Sequence, residues 1–159
     1  MRLARLAAFG GIAAFATGAA LAQVPQYGTN VTLDQARKLV AGANAEAKKM
    51  GVPMAIAIMD TAGQLVMFER NDNTQTASTE IAQDKARASA MLRRPTKVIQ
   101  DGVAGGGAGL RFLGLRYATP IEGGVPITVD GKILGSIGVS GGTSEQDGVV
   151  AAAGLAALK

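Results

Sequence analysis

The chain has 159 residues with 16 Lys and Arg against 12 Asp and Glu, a net charge of +4, and it contains neither Cys nor His. These two absences exclude disulfides, a Ser-His-Asp triad, a Cys-His pair, His-ligated zinc, c-type haem attachment and a proximal-His haem. After residue 22 basic residues adjoin only in pairs, Arg37-Lys38, Lys48-Lys49 and Arg93-Arg94, so a nucleic-acid partner is not expected, nor is a stable membrane anchor.

Arg2 and Arg5 precede an uncharged, Ala-rich stretch from Leu6 to Ala20, which ends in the small-residue pattern Ala20-Leu21-Ala22. This is the grammar of a secretory signal peptide. The stretch is diluted by Gly10, Gly11, Thr17 and Gly18, and so falls short of the ~20 strongly apolar residues of a membrane span. Cleavage after Ala22 would leave residues 23–159, a single domain with 14 basic and 12 acidic residues and a net charge of +2, working in the periplasm or outside the cell.

Residues 23–31 read as an extended arm containing Tyr27. Thr32 and Gln35 form a capping box, and apolar residues from Leu33 to Ala47 follow at helical spacing until Gly51 and Pro53. Met54 to Met59 is an unbroken apolar run that suits a strand covered on both faces. The turn residues Asp60 to Gly63 lead into a second strand, Gln64 to Arg70.

A helix is expected from Ser78 to Arg94, stopped by Pro95. Ala82, Ala86 and Ala90 form a line on it that lets another backbone approach closely, one motive for expecting subunit assembly. Thr96 to Gln100 reads as one further turn, Gly102 to Gly109 as a mobile glycine-rich loop, and Tyr117 to Thr119 as a short strand before Pro120. That loop has neither the Lys-Ser/Thr of a P-loop nor a preceding strand, which leaves a flexible loop or ligand lid.

Asp130-Gly131, set between the β-rich runs Gly124–Val129 and Lys132–Val139, signals a hairpin, because its turn type needs positive φ. Thr143 and Gln146 then open a terminal helix to Leu158 with a second capping box. The order implies an α/β (α+β) domain with a mainly antiparallel five-stranded sheet covered by helices.

Several side chains are singled out, each with a plain alternative. Lys85 shares a helix face with Ile81 and Ser89, so its ammonium reaches either a pocket rim or, by snorkelling, open solvent. Arg93 and Arg94 suit a helix C-terminus without any ligand. Ser140 to Thr143 offers backbone N–H groups at a helix start, with Glu145 and Asp147 already complementing the dipole there, so capping is favoured over an anion site. Asp60, Glu69, Glu122, Glu145 and Asp147 are acid/base candidates whose default is a solvated surface.

Five stretches taken together resemble one family. They are Ala55-Ile56-Ala57-Ile58-Met59-Asp60 with Gly63, Lys85-Ala86, Arg94-Pro95-Thr96, Gly123-Gly124-Val125-Pro126-Ile127 with Asp130-Gly131, and Ile137-Gly138-Val139-Ser140-Gly141. From about Val31 to Lys159 the chain resembles the GlcG/HbpS-like haem-binding proteins, which are related to the C-terminal domain of PduO-type adenosyltransferases. The resemblance implies a profilin-like fold, homo-oligomers such as dimers or octamers, and haem as cofactor.

With no His available, the resemblance makes Tyr117 the expected iron ligand, with Thr119 and Lys85 as further candidates and Arg93 and Arg94 as propionate partners. Gly123 and Gly124 would let a planar ligand approach the backbone. The leading expectation is therefore a periplasmic or secreted oligomeric binding protein for haem or a similar tetrapyrrole. The alternatives are an enzyme or enzyme accessory acting on a small hydroxy acid through Lys85 and a carboxylate near Gly123, and an assembly or scaffold protein with a vestigial pocket.

Overall fold

The computed structural model describes residues 24–159, so the expected leader, residues 1–22, lies outside the described residues. Thr32 caps α1 (Leu33–Met50) through the capping box with Gln35, and Gly51 ends the helix in the left-handed conformation expected of it. The strands β2 (Ala55–Asp60) and β3 (Leu65–Arg70) make the first hairpin. The strands β4 (Gly124–Val129) and β5 (Lys132–Ser140) make the second, with Asp130 and Gly131 at φ 49 and 74 as an Asp-Gly turn requires. The helix α4 (Ser144–Ala156) opens on the second capping box.

Here β5 organises the sheet. It pairs antiparallel with β4 along one side; along the other it pairs with β2 at residues 135–140 and with β1 (Gln26–Tyr27) at residues 132–133. The fifth strand is thus β1, which runs parallel to β5 within the segment expected to be only an arm. Tyr117–Thr119, expected as a strand, is not one: Tyr117 closes a turn with Arg116, and Ala118 and Thr119 continue without regular structure. Its neighbour Pro120 lacks the N–H that a ladder needs.

The two faces of the sheet are packed differently, and the alternation in β2 says why. Ile56 and Ile58 point with Ile137 and Val139 into a core closed by Leu39, Val40 and Ala43 of α1 and Val150 and Ala151 of α4. Ala55, Ala57 and Met59 face α2 (Ser78–Leu92), where Ala82 and Ala86 meet them. Large residues space the first layer and small ones draw the second in. A Cβ on Gly138 would collide with the Ala82 carbonyl and the Ala86 amide. Ala82 and Ala86 therefore serve the chain's own β5, and with Ala90 they are wholly buried within the chain.

The glycine-rich segment also departs from expectation. The helix α3 spans Thr96–Ala104, passing through Gly102, and a 3₁₀ helix follows at Gly107–Gly114. Gly106 makes the bend between them at φ 71, ψ −156, a region open in practice only to glycine. Gly109 lies so close to the Gly102 carbonyl that no side chain would fit, and the Phe112 ring covers Gly102. Composition favoured mobility; close packing of the two turns holds the segment.

Candidate functional site

Two clusters contain the residues that sequence reading picked out, and they differ in kind. The first is interior. The Lys85 ammonium stands 2.6 Å from Asp147 Oδ2 and donates to the Val139 carbonyl at 3.0 Å, with both side chains almost wholly buried. The Gly142 amide donates to Asp147 Oδ1, so the free N–H groups at the start of α4 already hold an anion, the chain's own carboxylate. Burial pushes the Lys85 ammonium below the ordinary lysine range and the Asp147 carboxyl above the ordinary carboxylate range, each opposed by its hydrogen bond to the other.

This arrangement corrects three expectations. Lys85 ends neither at a rim nor in solvent, because Asp147, 62 residues away, receives it inside. Asp147 is not a solvated carboxylate. A Cβ on Gly123 (φ 125) would meet Val139 O, Asp147 Cβ and Lys85 Nζ within 3 Å, and one on Gly124 would strike the Lys85 carbonyl. The close approach that these glycines permit is therefore that of α2 and α4, not of a planar ligand.

The second cluster is at the surface. Asp84, Arg87, Arg116, Tyr117, Ala118 and Thr119 line a cleft of about 140 Å³. Asp84 and Arg87 share a helix face at i, i+3 spacing, whereas Lys85, rotated ~100° from Asp84, points inward. Arg87 bonds Asp84 at 3.1 Å and donates from Nε to the Gly63 carbonyl at 3.3 Å. The Arg116 guanidinium lies 5.3 Å from the centre of the Tyr117 ring, in cation–π range.

The 3₁₀ segment that leads along the chain into this cleft buries none of its residues, and Leu110, Leu113 and Leu115 are all exposed, Leu113 to 62%. Arg111 and Phe112 lie among them, and Leu115 is followed directly by Arg116 and Tyr117. Apolar side chains left uncovered next to arginines and a phenol make a surface that suits a flat apolar ligand with anionic arms.

Tyr117 and Thr119 are thus brought together, while Arg93 and Arg94 are placed elsewhere. Arg93 closes α2 at φ 53, stacks on the Tyr27 ring at 5.3 Å and donates to the Pro25 carbonyl; Tyr27 in turn donates to the Ala90 carbonyl. Its work is to fasten β1 to α2. Arg94 donates from Nε to the Leu92 carbonyl at 3.0 Å. Sequence reading missed Arg87 and Arg116. The helical spacing of Arg87 from Asp84 and the adjacency of Arg116 to Tyr117 were the signals available.

Comparison with known proteins fits this architecture. The model of the family described as Haem degrading protein HbpS-like matches residues 31–156. The chain belongs to this family. Over 114 residues it is 39% identical to Protein GlcG of Escherichia coli K12, spanning 70% of this chain and 84% of that protein.

Among solved structures, HbpS is 28% identical with a TM-score of 0.76, over 93% of this chain and 99% of HbpS. The PduOC:heme complex is 27% identical with a TM-score of 0.74, over 81% of this chain and 95% of that one. The HbpS-like fold, a five-stranded sheet with four α-helices among the described residues, is therefore shared. Among those residues no helix is long and apolar enough to cross a membrane.

Proposed function

We propose that this HbpS-like protein binds haem, or a tetrapyrrole of the same shape and charge, on the surface formed by the 3₁₀ segment and the Tyr117 cleft. The observation that carries the reading is the segment Gly107–Gly114, which is held in place by α3 yet leaves Leu110 and Leu113 uncovered. Those side chains, with Leu115, cover the macrocycle and exclude water from it. Covering each of them on binding is worth ~1.5–3 kcal/mol at full burial.

The residues present suit the group. Tyr117 offers a phenolic oxygen, a hard donor that ferric iron accepts in known haem proteins, and Thr119 supplies a second oxygen in the same cleft. Bound haem supplies a redox-active iron; the chain supplies the ligand oxygen, the apolar cover and the cations. Arg93 and Arg94, at the end of α2 and outside the cleft, take no propionate in this reading. Lys85, Gly123 and Gly124 keep only their interior role.

The same reading includes export, with the leader removed after Ala22 so that the working form begins at Gln23, and assembly into a homo-oligomer. The resemblance to HbpS and the PduOC:heme complex supports the haem assignment, and the leader grammar supports export.

A hemin titration of the purified protein followed by absorption tests the proposal. Saturable binding is expected, with Tyr117→Phe changing the charge-transfer region of the ferric spectrum and weakening retention. Identical spectra and affinities in the two proteins would remove Tyr117 as the ligand. A non-saturable titration of the parent would remove haem.

A further inference from the structure

We infer that the cleft between α2 and the Arg116–Thr119 segment is a carboxylate pocket, with Arg87 and Arg116 as the residues that select an acidic ligand. The inference rests on the proposed haem reading and sharpens it: the pocket takes one propionate arm, and its specificity lies on α2 and that segment, apart from Arg93 and Arg94.

Size decides what can enter. At about 140 Å³ the cleft is several times the ~30 Å³ share of a water molecule but well below the ~300 Å³ of the smallest ligand sites, so it takes an acid arm and not a macrocycle. The apolar part of the same ligand then lies outside, where Leu113 and Leu115 are exposed.

Charge decides which arm. Arg87 and Arg116 face one carboxylate, Asp84, and Asp84 is already paired with Arg87 Nη1, which leaves the cleft with one excess positive charge. Arg87 spends Nε on Gly63 and one Nη1 hydrogen on Asp84, and its other terminal hydrogens remain for an incoming oxygen. Arg116 pairs with no carboxylate among the described residues. Two guanidinium groups give a carboxylate the charge-assisted hydrogen bonds it needs, and give an ester or amide far less, which leaves the Tyr117 and Thr119 oxygens for the iron.

Anchoring is the second requirement, and the chain meets it. The Arg87 stem lies over Gly63, where a Cβ would come within 3.2 Å of Arg87 and Met91, so the β2–β3 turn fixes that guanidinium. Arg116 is steadied by the Tyr117 ring. A donor already held in place loses less freedom when the acid arrives.

The test compares hemin with its dimethyl ester, which keeps the iron and the macrocycle but has no carboxylate. The parent protein is expected to hold hemin roughly tenfold or more tighter than the ester, and Arg116→Gln to remove that preference by weakening hemin alone. Arg87→Gln gives the same loss, and Arg93→Gln, at the Tyr27 strap, leaves the preference intact. Sodium propionate competing with hemin at millimolar levels in the parent but not in Arg116→Gln would support a pocket that also admits a free small acid. Equal binding of hemin and ester by the parent overturns the inference and leaves haem binding standing. A parent that binds neither saturably overturns both.

Discussion

Glycine is abundant both in the interior between α2 and the sheet and in the surface segment from Gly105 to Gly114, yet it does opposite things in the two places. Around Lys85 and Asp147 the glycines are there because neighbours leave no room: Gly123, Gly124 and Gly138 each lie within collision distance of backbone or of the ion pair. In the surface segment Gly109 is pressed on Gly102, but Gly106, Gly107 and Gly114 have open space beside them, and the apolar side chains Leu110, Leu113 and Leu115 are exposed. The interior is finished without a ligand, whereas the surface segment is held in shape and left uncovered. Binding belongs to the second kind of region, even though the residue types first suspected of it, a lysine and paired glycines, belong to the first.

The sharpest way to break this contrast is through the ion pair. Asp147→Leu leaves the Lys85 ammonium buried without a partner and should cost about 3–5 kcal/mol in urea unfolding, while Lys85→Met combined with Asp147→Leu should recover most of that loss. A single variant as stable as the parent would mean that the ammonium escapes to solvent, contrary to its interior position.

A smaller effect separates the glycines. Gly124→Ala, pressed against the Lys85 carbonyl and Thr96, should lose about 1–3 kcal/mol, whereas Gly114→Ala, with nothing beside it, should stay within about 0.5 kcal/mol of the parent. Comparable losses at the two sites would erase the distinction between packed and open glycine. Least of all, Leu113→Asp should leave stability within about 0.5 kcal/mol while weakening hemin binding. A large loss of stability would show that Leu113 belongs to the core.

What the sequence disclosed follows from how far apart the interacting residues are. Thr32 with Gln35, Thr143 with Gln146 and Asp130 with Gly131 act across one to three positions, so their caps and turn were legible directly. The partner of Lys85 lies beyond two strands, and helical phase alone could not tell a rim from an interior. β1 is a strand only because β5, more than a hundred positions later, accepts it. Gly102 to Gly109 looked mobile by composition because the packing of Phe112 and Gly109 onto Gly102 leaves no periodic trace. Of the site, Tyr117 and Thr119 were found through family resemblance, while Arg87 and Arg116 required the turn to be seen folded against α2.

Amide hydrogen exchange with and without hemin measures the central claim at both regions at once. Hemin is expected to slow exchange only in the 3₁₀ segment Gly107–Gly114, the stretch through Thr119 and the part of α2 at Asp84 and Arg87, with the strands around Lys85 and Asp147 unchanged. Protection centred instead on β4 and α4, or absent from the 3₁₀ segment while hemin is bound, would contradict that claim.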